Sequence, residues 1–323
     1  MKAIVHDTYG SSDVLELRDI DKPSPGEGDV LVRVHAAAVD AGVWHLMTGL
    51  PYLLRLMGYG LRAPKVRVRG REVAGRVEAV GAGVTQFRPG DEVFGICEGS
   101  FAEYASAPED RFVPKPANLT LEQAAAVPMS ALTALQALRD AGRLQPGQKV
   151  LIIGAAGGVG TFAVQLAKAF GAEVTGVCST TKTDLVRSIG ADDVIDYTRE
   201  DVTDGTRHYD LVVDTAGNRP LSRLRRALAP RGTLVIVGGE GGGRWFGGTD
   251  RVLRAVMLSP FVRHTLRGLV SVERHEDLQT LRELIEAGKV APVIGATYPL
   301  SEAPEAIRYL QEGNARGKVV ITV

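Results

Sequence analysis

Residues Lys149–Lys168 read KVLIIGAAGGVGTFAVQLAK: an apolar strand runs into a glycine-rich turn and then directly into a helix. The helical part follows from Phe162, Leu166, Ala169 and Phe170, which recur at helical spacing until Gly171 supplies a stop. A bound pyrophosphate needs this context, because glycines let the backbone approach the phosphates while the first N–H groups and the helix dipole stabilise their charge. Gly157, Gly158, Val159 and Gly160 are therefore the candidate cofactor contacts. Aligned to GxGxxG, the first glycine place holds Ala155, preceded by Gly154.

Downstream, apolar strands alternate with longer helical stretches, the rhythm of a parallel sheet with crossover helices. The expected strands are Lys149–Gly154, Glu173–Cys178, Asp193–Asp196, Asp210–Asp214, Thr233–Val237 and Leu269–Val272, with a helix over Leu278–Ala287. Upstream, to about Asn118, the texture is different: alternating runs such as Val30–Val34 and Val73–Val80 are broken by Pro23, Pro25, Gly26, Pro89 and Gly90, which reads as a mostly β domain. The last residues, Lys318–Val323, are strand-like again, and the simplest account is that this tail rejoins the first domain. The stretch 238–248, GGEGGGRWFGG, is locally glycine-dense and is expected to be mobile.

Which nicotinamide cofactor is bound is decided at the end of the second strand of that sheet, where an NAD-binding chain offers a carboxylate to the ribose 2′-hydroxyl. Here the sequence is Val177-Cys178-Ser179-Thr180-Thr181-Lys182, with no carboxylate. Ser179 and Thr180 can donate hydrogen bonds and Lys182 can supply positive charge, so NADPH is favoured over NADH.

Across 323 residues, 38 basic and 38 acidic side chains cancel, which gives no reason to expect nucleic acid or an anionic membrane as partner. A small molecule is the default partner. Two cysteines, Cys97 and Cys178, stand far apart and read as inert thiols rather than a disulfide or a cysteine-rich zinc site. No apolar run reaches the roughly eighteen residues of a membrane span, and no leader-like segment opens the chain, so neither stable membrane insertion nor export is expected and the location is cytoplasmic by default.

The AAGGVG…Q…K run, the opening MKAIVHDTYGSSDVLEL, the segment Gly70–Gly95 with RPGDEVFG, the stretch PANLTLEQAAAVPMSALTAL and the closing ARGKVVITV together resemble the quinone oxidoreductase and zeta-crystallin branch of the medium-chain dehydrogenase/reductase superfamily. The resemblance covers essentially the whole chain. It implies an α/β protein: a GroES-like β domain over residues 1–118 and 291–323, a Rossmann doubly wound parallel-sheet domain over 119–290, and an active site in the cleft between them. It further implies that Tyr197 in VIDY, Arg316 in NARGK and nearby Lys318 lie around an adenosine 2′-phosphate. Thr133, Ala216, Gly217, Val237 and Gly238 are implied to face ribose and nicotinamide, or else only to pack. A homodimer through the cofactor-domain sheet edge is a further implication.

Zinc-using members of the superfamily place a His-Glu pair in a GHE motif, whereas this chain has Gly70-Arg71-Glu72 and lacks the early cysteine and the four-cysteine lobe. Neither zinc site is therefore expected, and Glu72 is read as structural, paired with Arg71 or another base. Reduction of a small, already electrophilic acceptor, a quinone or an activated alkene, then becomes the natural chemistry. The candidate catalytic residues lie in Val39–Tyr52, where relatives read VN and often Asp three places later, but here Asp40 and Val43 stand. Asp40 either bonds ribose or acceptor, or caps the turn at Gly42. His45 is either a donor to the acceptor or a packing residue beside Trp44, and Tyr52 with Trp44, Met47, Leu50 and Leu53 forms either an acceptor pocket or core. Two other readings remain: a non-enzymatic NADPH-binding redox sensor, and a zinc-independent alcohol dehydrogenase with His45 as base. Arg244–Val272, with aromatic and aliphatic residues among arginines, is either a lid or membrane-touching helix, or a surface helix on its own domain, or a dimer contact.

Overall fold

The computed structural model describes residues 1–238, 243–313 and 315–323, so four residues of the glycine-dense stretch expected to be mobile lie outside the described residues. The chain divides into two compact units, Met1–Ser130 with Glu273–Gly288 and Pro292–Val323, and Ala131–Val272 with Lys289–Ala291.

The first unit holds β1 (Lys2–Val5), β2 (Glu16–Asp19), β3 (Asp29–Val39), β4 (Glu72–Val80), β5 (Glu92–Ile96), β6 (Tyr104–Pro108) and β7 (Phe112–Pro114). The second holds β8 (Lys149–Ile153), β9 (Glu173–Cys178), β10 (Asp193–Asp196), β11 (Tyr209–Asp214), β12 (Leu228–Ile236) and β13 (Thr265–Gly268). The chain then returns to the first unit with β14 (Ile294–Pro299) and β15 (Lys318–Thr322).

In the first unit the order is β14-β15-β3-β4-β5-β7, with β6 also on β3, and β1 and β2 form a separate antiparallel pair. The alternation in DVLVRV sends Val30, Val32 and Val34 into one core. Beyond it, Ala36, Ala37 and Ala38 are all fully buried, because β15 pairs there, Val319 opposite Val39 and Thr322 opposite Ala36. The tail thus rejoins the first sheet as an inner strand. The helix His275–Glu286 belongs to this unit as well, where Asn118 donates to the Ile285 carbonyl at 2.8 Å and Arg71 and Arg111 both pair with Glu273. The boundary near Ser130 and the return of this helix differ from a division at residues 118 and 291, since side chain to backbone anchoring of this kind leaves no signal in local texture.

The second unit is a six-stranded parallel sheet in the order β10-β9-β8-β11-β12-β13, the doubly wound arrangement in which the strand order reverses beside β8. Helix Gly158–Ala169 buries Phe162, Ala163, Leu166 and Ala167, so Ala169 falls outside the packed face expected of it. The last strand is Thr265–Gly268 rather than 269–272. Its register is set by β12, Thr233 opposite Thr265, and Gly268 lets Val252 of the neighbouring helix pack directly on the strand; Val270 is left exposed.

That helix, Thr249–Leu258, turns Val252, Ala255 and Leu258 onto the core of its own unit, while Leu253, Val256 and Met257 face outward. No helix among the described residues is long and apolar enough to cross a membrane. Burial pushes the Cys97 thiol up to about 12 and the Cys178 thiol up to about 11, with the Glu98 and Asp196 carboxylates adding to it, which keeps both as unreactive thiols.

Candidate functional site

The turn after β8 is held by two hydrogen bonds, from the Gly154 and Ala155 N–H groups to the Val177 carbonyl at 3.1 and 3.0 Å. Gly154 takes a φ of +84°, where a side chain is strained. Gly157 caps the helix in extended conformation, and Gly160 is where helix and turn touch: a Cβ there would stand 2.0 Å from the Gly154 carbonyl oxygen. Gly157, Gly158 and Val159 are half-buried at the head of a helix whose first N–H groups have no intrahelical acceptor. The cradle fits the pyrophosphate of a nicotinamide dinucleotide: close backbone, unshielded N–H groups and no side chain in the way.

The C-terminal ends of the neighbouring parallel strands open on the same side. After β9, Ser179 is half-buried and Lys182 lies in the short helical turn Thr180–Lys182. The Thr180 hydroxyl, expected to donate to a 2′-phosphate, instead donates to Asp196 at 2.5 Å. Asp196 comes from β10, and its register opposite Cys178 brings a carboxylate to a place where the local sequence has none. Its charge is offset by the Thr198 N–H and hydroxyl at 2.9 and 2.8 Å and by Arg199 at 3.5 Å, and these donors, with Thr180 foremost, hold its carboxyl below the usual range. Tyr197 is exposed, and the Arg219 guanidinium sits 5.9 Å from its ring centre, a cation at this edge that the sequence reading missed.

Asp214, fully buried at the end of β11, organises the next two loops. Its carboxylate accepts from Gly217 N–H at 3.1 Å and pairs with Arg251, and its carbonyl accepts from Val237 and Gly238 N–H at 2.9 and 3.2 Å. Ala216, Val237 and Gly238 are half-buried there, and Thr133 is half-buried in helix Pro128–Gln136 of the same chain segment. Arg251 therefore points inward and, through Asp214, ties its helix to the loops after β11 and β12. Its only sequence signal is an arginine in an otherwise apolar helix face.

In the first unit, Asp40 is a helix N-cap: its Oδ1 accepts from Val43 N–H at 3.0 Å, while its buried Oδ2 has no partner. His45 Nδ1 lies 2.8 Å from the Leu50 carbonyl, which can only accept, so Nδ1 carries the proton and Nε2 of the neutral ring is an acceptor. Trp44 meets His45 edge-on at 4.8 Å and, half-buried, packs against the core cluster that holds the fully buried Met47. Tyr52 is half-buried with the Arg55 guanidinium 4.9 Å from its ring centre. Arg316 is exposed.

Lys318 is 1% exposed, and its ammonium is committed to the Glu72 carboxylate and, at 3.1 Å, to the Ser130 hydroxyl. It is thus a buried structural cation, not one that reaches a phosphate. The Glu72 carboxylate also accepts from Met129 N–H at 2.8 Å. Burial pushes Glu72 up, the Asp40 charge adds to this, and Lys318 and Met129 oppose it. The partner of Glu72 is Lys318, and Arg71 turns instead to Glu273. This set does not fit zinc, because the carboxylate that would ligate it is neutralised by an ammonium, and among the described residues no three His, Cys, Asp or Glu side chains converge as ligands.

Residues 26–117 match the family description "Alcohol dehydrogenase GroES-like domain", and residues 189–321 match "Zinc-binding dehydrogenase". The chain is 34% identical, over 100% of its own length and 89% of the relative's, to the mitochondrial NAD(P)H oxidoreductase RTN4IP1 of Bos taurus. It is 35% identical to the 2-methylene-furan-3-one reductase of Solanum lycopersicum, over 99% of this chain and 79% of that one. Among solved structures, the quinone oxidoreductase from Coxiella burnetii superposes with a TM-score of 0.88 at 30% identity, covering 100% of this chain and 99% of that chain. With its GroES-like unit, its doubly wound sheet and its glycine-lined nucleotide turn, the chain belongs to the medium-chain dehydrogenase/reductase superfamily, as an oxidoreductase of the quinone-oxidoreductase-like branch.

Proposed function

We propose that the protein is an NADPH-dependent, zinc-independent reductase of quinones or other activated carbonyls and alkenes. The observation that carries this reading is the Glu72–Lys318 pair, in which an ammonium answers the carboxylate of the Gly70-Arg71-Glu72 motif. Without a Lewis acid to activate an alcohol, the favoured substrate is one already electrophilic. The relatives named for quinone and for 2-methylene-furan-3-one reduction support an acceptor of that kind.

Gly157, Gly158, Val159 and Gly160 would hold the pyrophosphate, Asp214 would hold the loops carrying Ala216, Gly217, Val237 and Gly238 toward ribose and nicotinamide, and Ser179, Lys182 and Tyr197 would surround the 2′-phosphate. When bound, the reduced nicotinamide supplies a hydride. Asp40 fixes the start of the helix that carries His45. With Nδ1 as donor to Leu50, His45 Nε2 in the neutral ring can only accept, so a neutral His45 would not supply the proton that completes reduction. The same acceptor nitrogen favours, as a second reading, proton removal from an alcohol in the reverse direction. The assembly proposed is a homodimer along the β13 edge.

The test is loss of reduced-nicotinamide absorbance on mixing NADPH or NADH with quinones, enones and aldehydes, with zinc and a chelator as controls. NADPH-selective turnover that ignores the chelator is expected. Tight NADPH binding with no acceptor reduced would instead make the protein a nucleotide sensor, and turnover only with alcohols would shift the reading to the reverse reaction. Lys182→Ala is expected to raise KM for NADPH about tenfold, the loss of one charge-assisted phosphate contact, and to leave kcat and NADH use unchanged. Equal loss with both coenzymes would remove Lys182 from the 2′-phosphate.

A further inference from the structure

From Ala41 to Arg71 the chain carries Arg55, Arg62, Lys65, Arg67, Arg69 and Arg71 and no aspartate or glutamate, a local imbalance that the neutral total of 38 against 38 conceals. Most of these cations are committed. Arg55 donates to the Gly49 and Thr48 carbonyls at 2.9 and 3.2 Å, Arg67 pairs with Asp7, Arg71 pairs with Glu273, and Arg69 is buried with a donation to the Val66 carbonyl. Arg62 and Lys65 are exposed and, among the described residues, have no acidic partner. Glu98 lines the same hollow as Lys65, but the Arg69 guanidinium also lines it and answers that charge, so the surface stays net positive.

Between these cations stands an apolar tip. The helical turn Tyr52–Leu54 runs into Arg55–Tyr59, where Gly58 reverses the backbone at a φ of +108° with open space beside it. Leu56 and Met57 there are each 67% exposed, Leu61 is 64% exposed, and Tyr59 is exposed as well. The loop is nevertheless firmly built. The Tyr9 hydroxyl lies 2.9 and 2.7 Å from the Tyr59 and Gly60 carbonyls, the Arg55 guanidinium covers the Tyr9 ring at 4.2 Å, and Lys65 N–H donates to the Tyr59 carbonyl at 3.0 Å. At Gly60 a Cβ would stand 2.0 Å from the Ala63 carbonyl oxygen, so the chain closes tightly on itself. Large apolar side chains held out in water by a fixed backbone mark a surface that meets a partner.

The charge decides which partner. A twofold contact with a second copy sets a patch against itself and would bring Arg62 and Lys65 of both chains together. An anionic bilayer answers both features at once: the apolar tip enters the boundary between headgroups and acyl chains, while the long cationic side chains reach the phosphates. We propose that the loop Leu56–Val66 docks the protein on an anionic phospholipid surface, with Leu56, Met57, Tyr59 and Leu61 in the bilayer boundary and Arg62 and Lys65 at the headgroups. Such binding is peripheral and needs no membrane-crossing helix. The proposal does not depend on the nicotinamide reading.

Flotation of the full chain with vesicles is the test, phosphatidylcholine alone against a mixture with phosphatidylglycerol. Binding to the mixed vesicles, none to the neutral ones, and release at high salt are expected. Arg62→Gln with Lys65→Gln should weaken binding about twentyfold, or about fivefold for each cation. Leu56→Ser with Met57→Ser should weaken it at least as much, whereas Phe261→Ser, at an exposed apolar residue of the second unit, should change nothing. Leu56→Trp gives a direct reading: its emission should shift to the blue on mixed vesicles and be quenched by lipids brominated in their acyl chains. Equal binding to neutral vesicles, undiminished binding in either double variant, or an unquenched Leu56→Trp would each overturn the proposal. So would self-association in lipid-free buffer that Leu56→Ser with Met57→Ser abolishes, which would make a second copy the partner.

Discussion

Lys318→Met is expected to cost about 3–5 kcal/mol at neutral pH, the penalty for leaving a buried carboxylate without its cation. Glu72 and Lys318 are almost completely shielded from water, so neither can exchange its partner for solvent. The loss should depend on pH in a definite sense. Burial already raises the Glu72 carboxyl, and removing Lys318 takes away the main opposing charge, so the native carboxyl of the variant titrates higher still. A native group that holds its proton more tightly than the unfolded chain is stabilising below the unfolded value, and that contribution is lost as pH rises through the native one. Urea unfolding should therefore show a larger deficit at pH 8 than at pH 5. Replacing both residues by methionine should recover much of the loss, and an equal deficit at both pH values would show that the lysine acts by packing alone.

Gly160→Ala should lose both stability and nucleotide binding, whereas Gly157→Ala should lose binding alone. At Gly160 the new Cβ would meet the Gly154 carbonyl oxygen at 2.0 Å and Ala155 Cα at 2.8 Å, backbone atoms that can yield only by moving turn and helix apart. Overpacking of this kind costs about 1–3 kcal/mol, and displacing the first N–H groups removes two or more charge-assisted bonds to phosphate, so affinity should fall about a hundredfold or more. At Gly157 the nearest atom to a Cβ is 3.4 Å away, an ordinary contact, so the fold should hold while the methyl group intrudes on the phosphates. Chemical denaturation and nucleotide titration of both variants check the pair. If Gly160→Ala binds NADPH normally, the turn is a structural joint and not the pyrophosphate cradle.

The glycine turn and the parallel strands around it were legible because strand, turn and helix are adjacent in sequence and each has its own periodicity. So was the return of Lys318–Thr322 to the first sheet, though not its inner position. What remained hidden depended on register. Lys318 follows a motif that suggests a phosphate contact, and only the pairing of β15 with β3, and of β3 with β4, shows that it faces Glu72. Thr180 and Asp196 meet because β9 and β10 align Cys178 with Asp196, which no local pattern predicts. Arg251 was one arginine among several in a segment whose role stayed open, and only its pairing with Asp214 shows an inward partner. The capping alternative for Asp40 was legible, since an aspartate before a helix is a cap by local geometry alone.

The inner place of β15 also has a consequence for synthesis on the ribosome. β3 and β4 emerge early, but the strand that completes this side of their sheet is made only after the whole of the second unit. At about 5–20 residues per second, the edge of β3 and the Glu72 carboxyl wait some tens of seconds for Lys318 and its neighbours. During that interval the nascent first unit presents an unfilled edge, the kind of surface that holding chaperones recognise, while residues 131–272, the bulk of the second unit, can already close. A stop codon just before Lys318 would therefore yield not a slightly trimmed protein but a nascent sheet that never finds its inner strand.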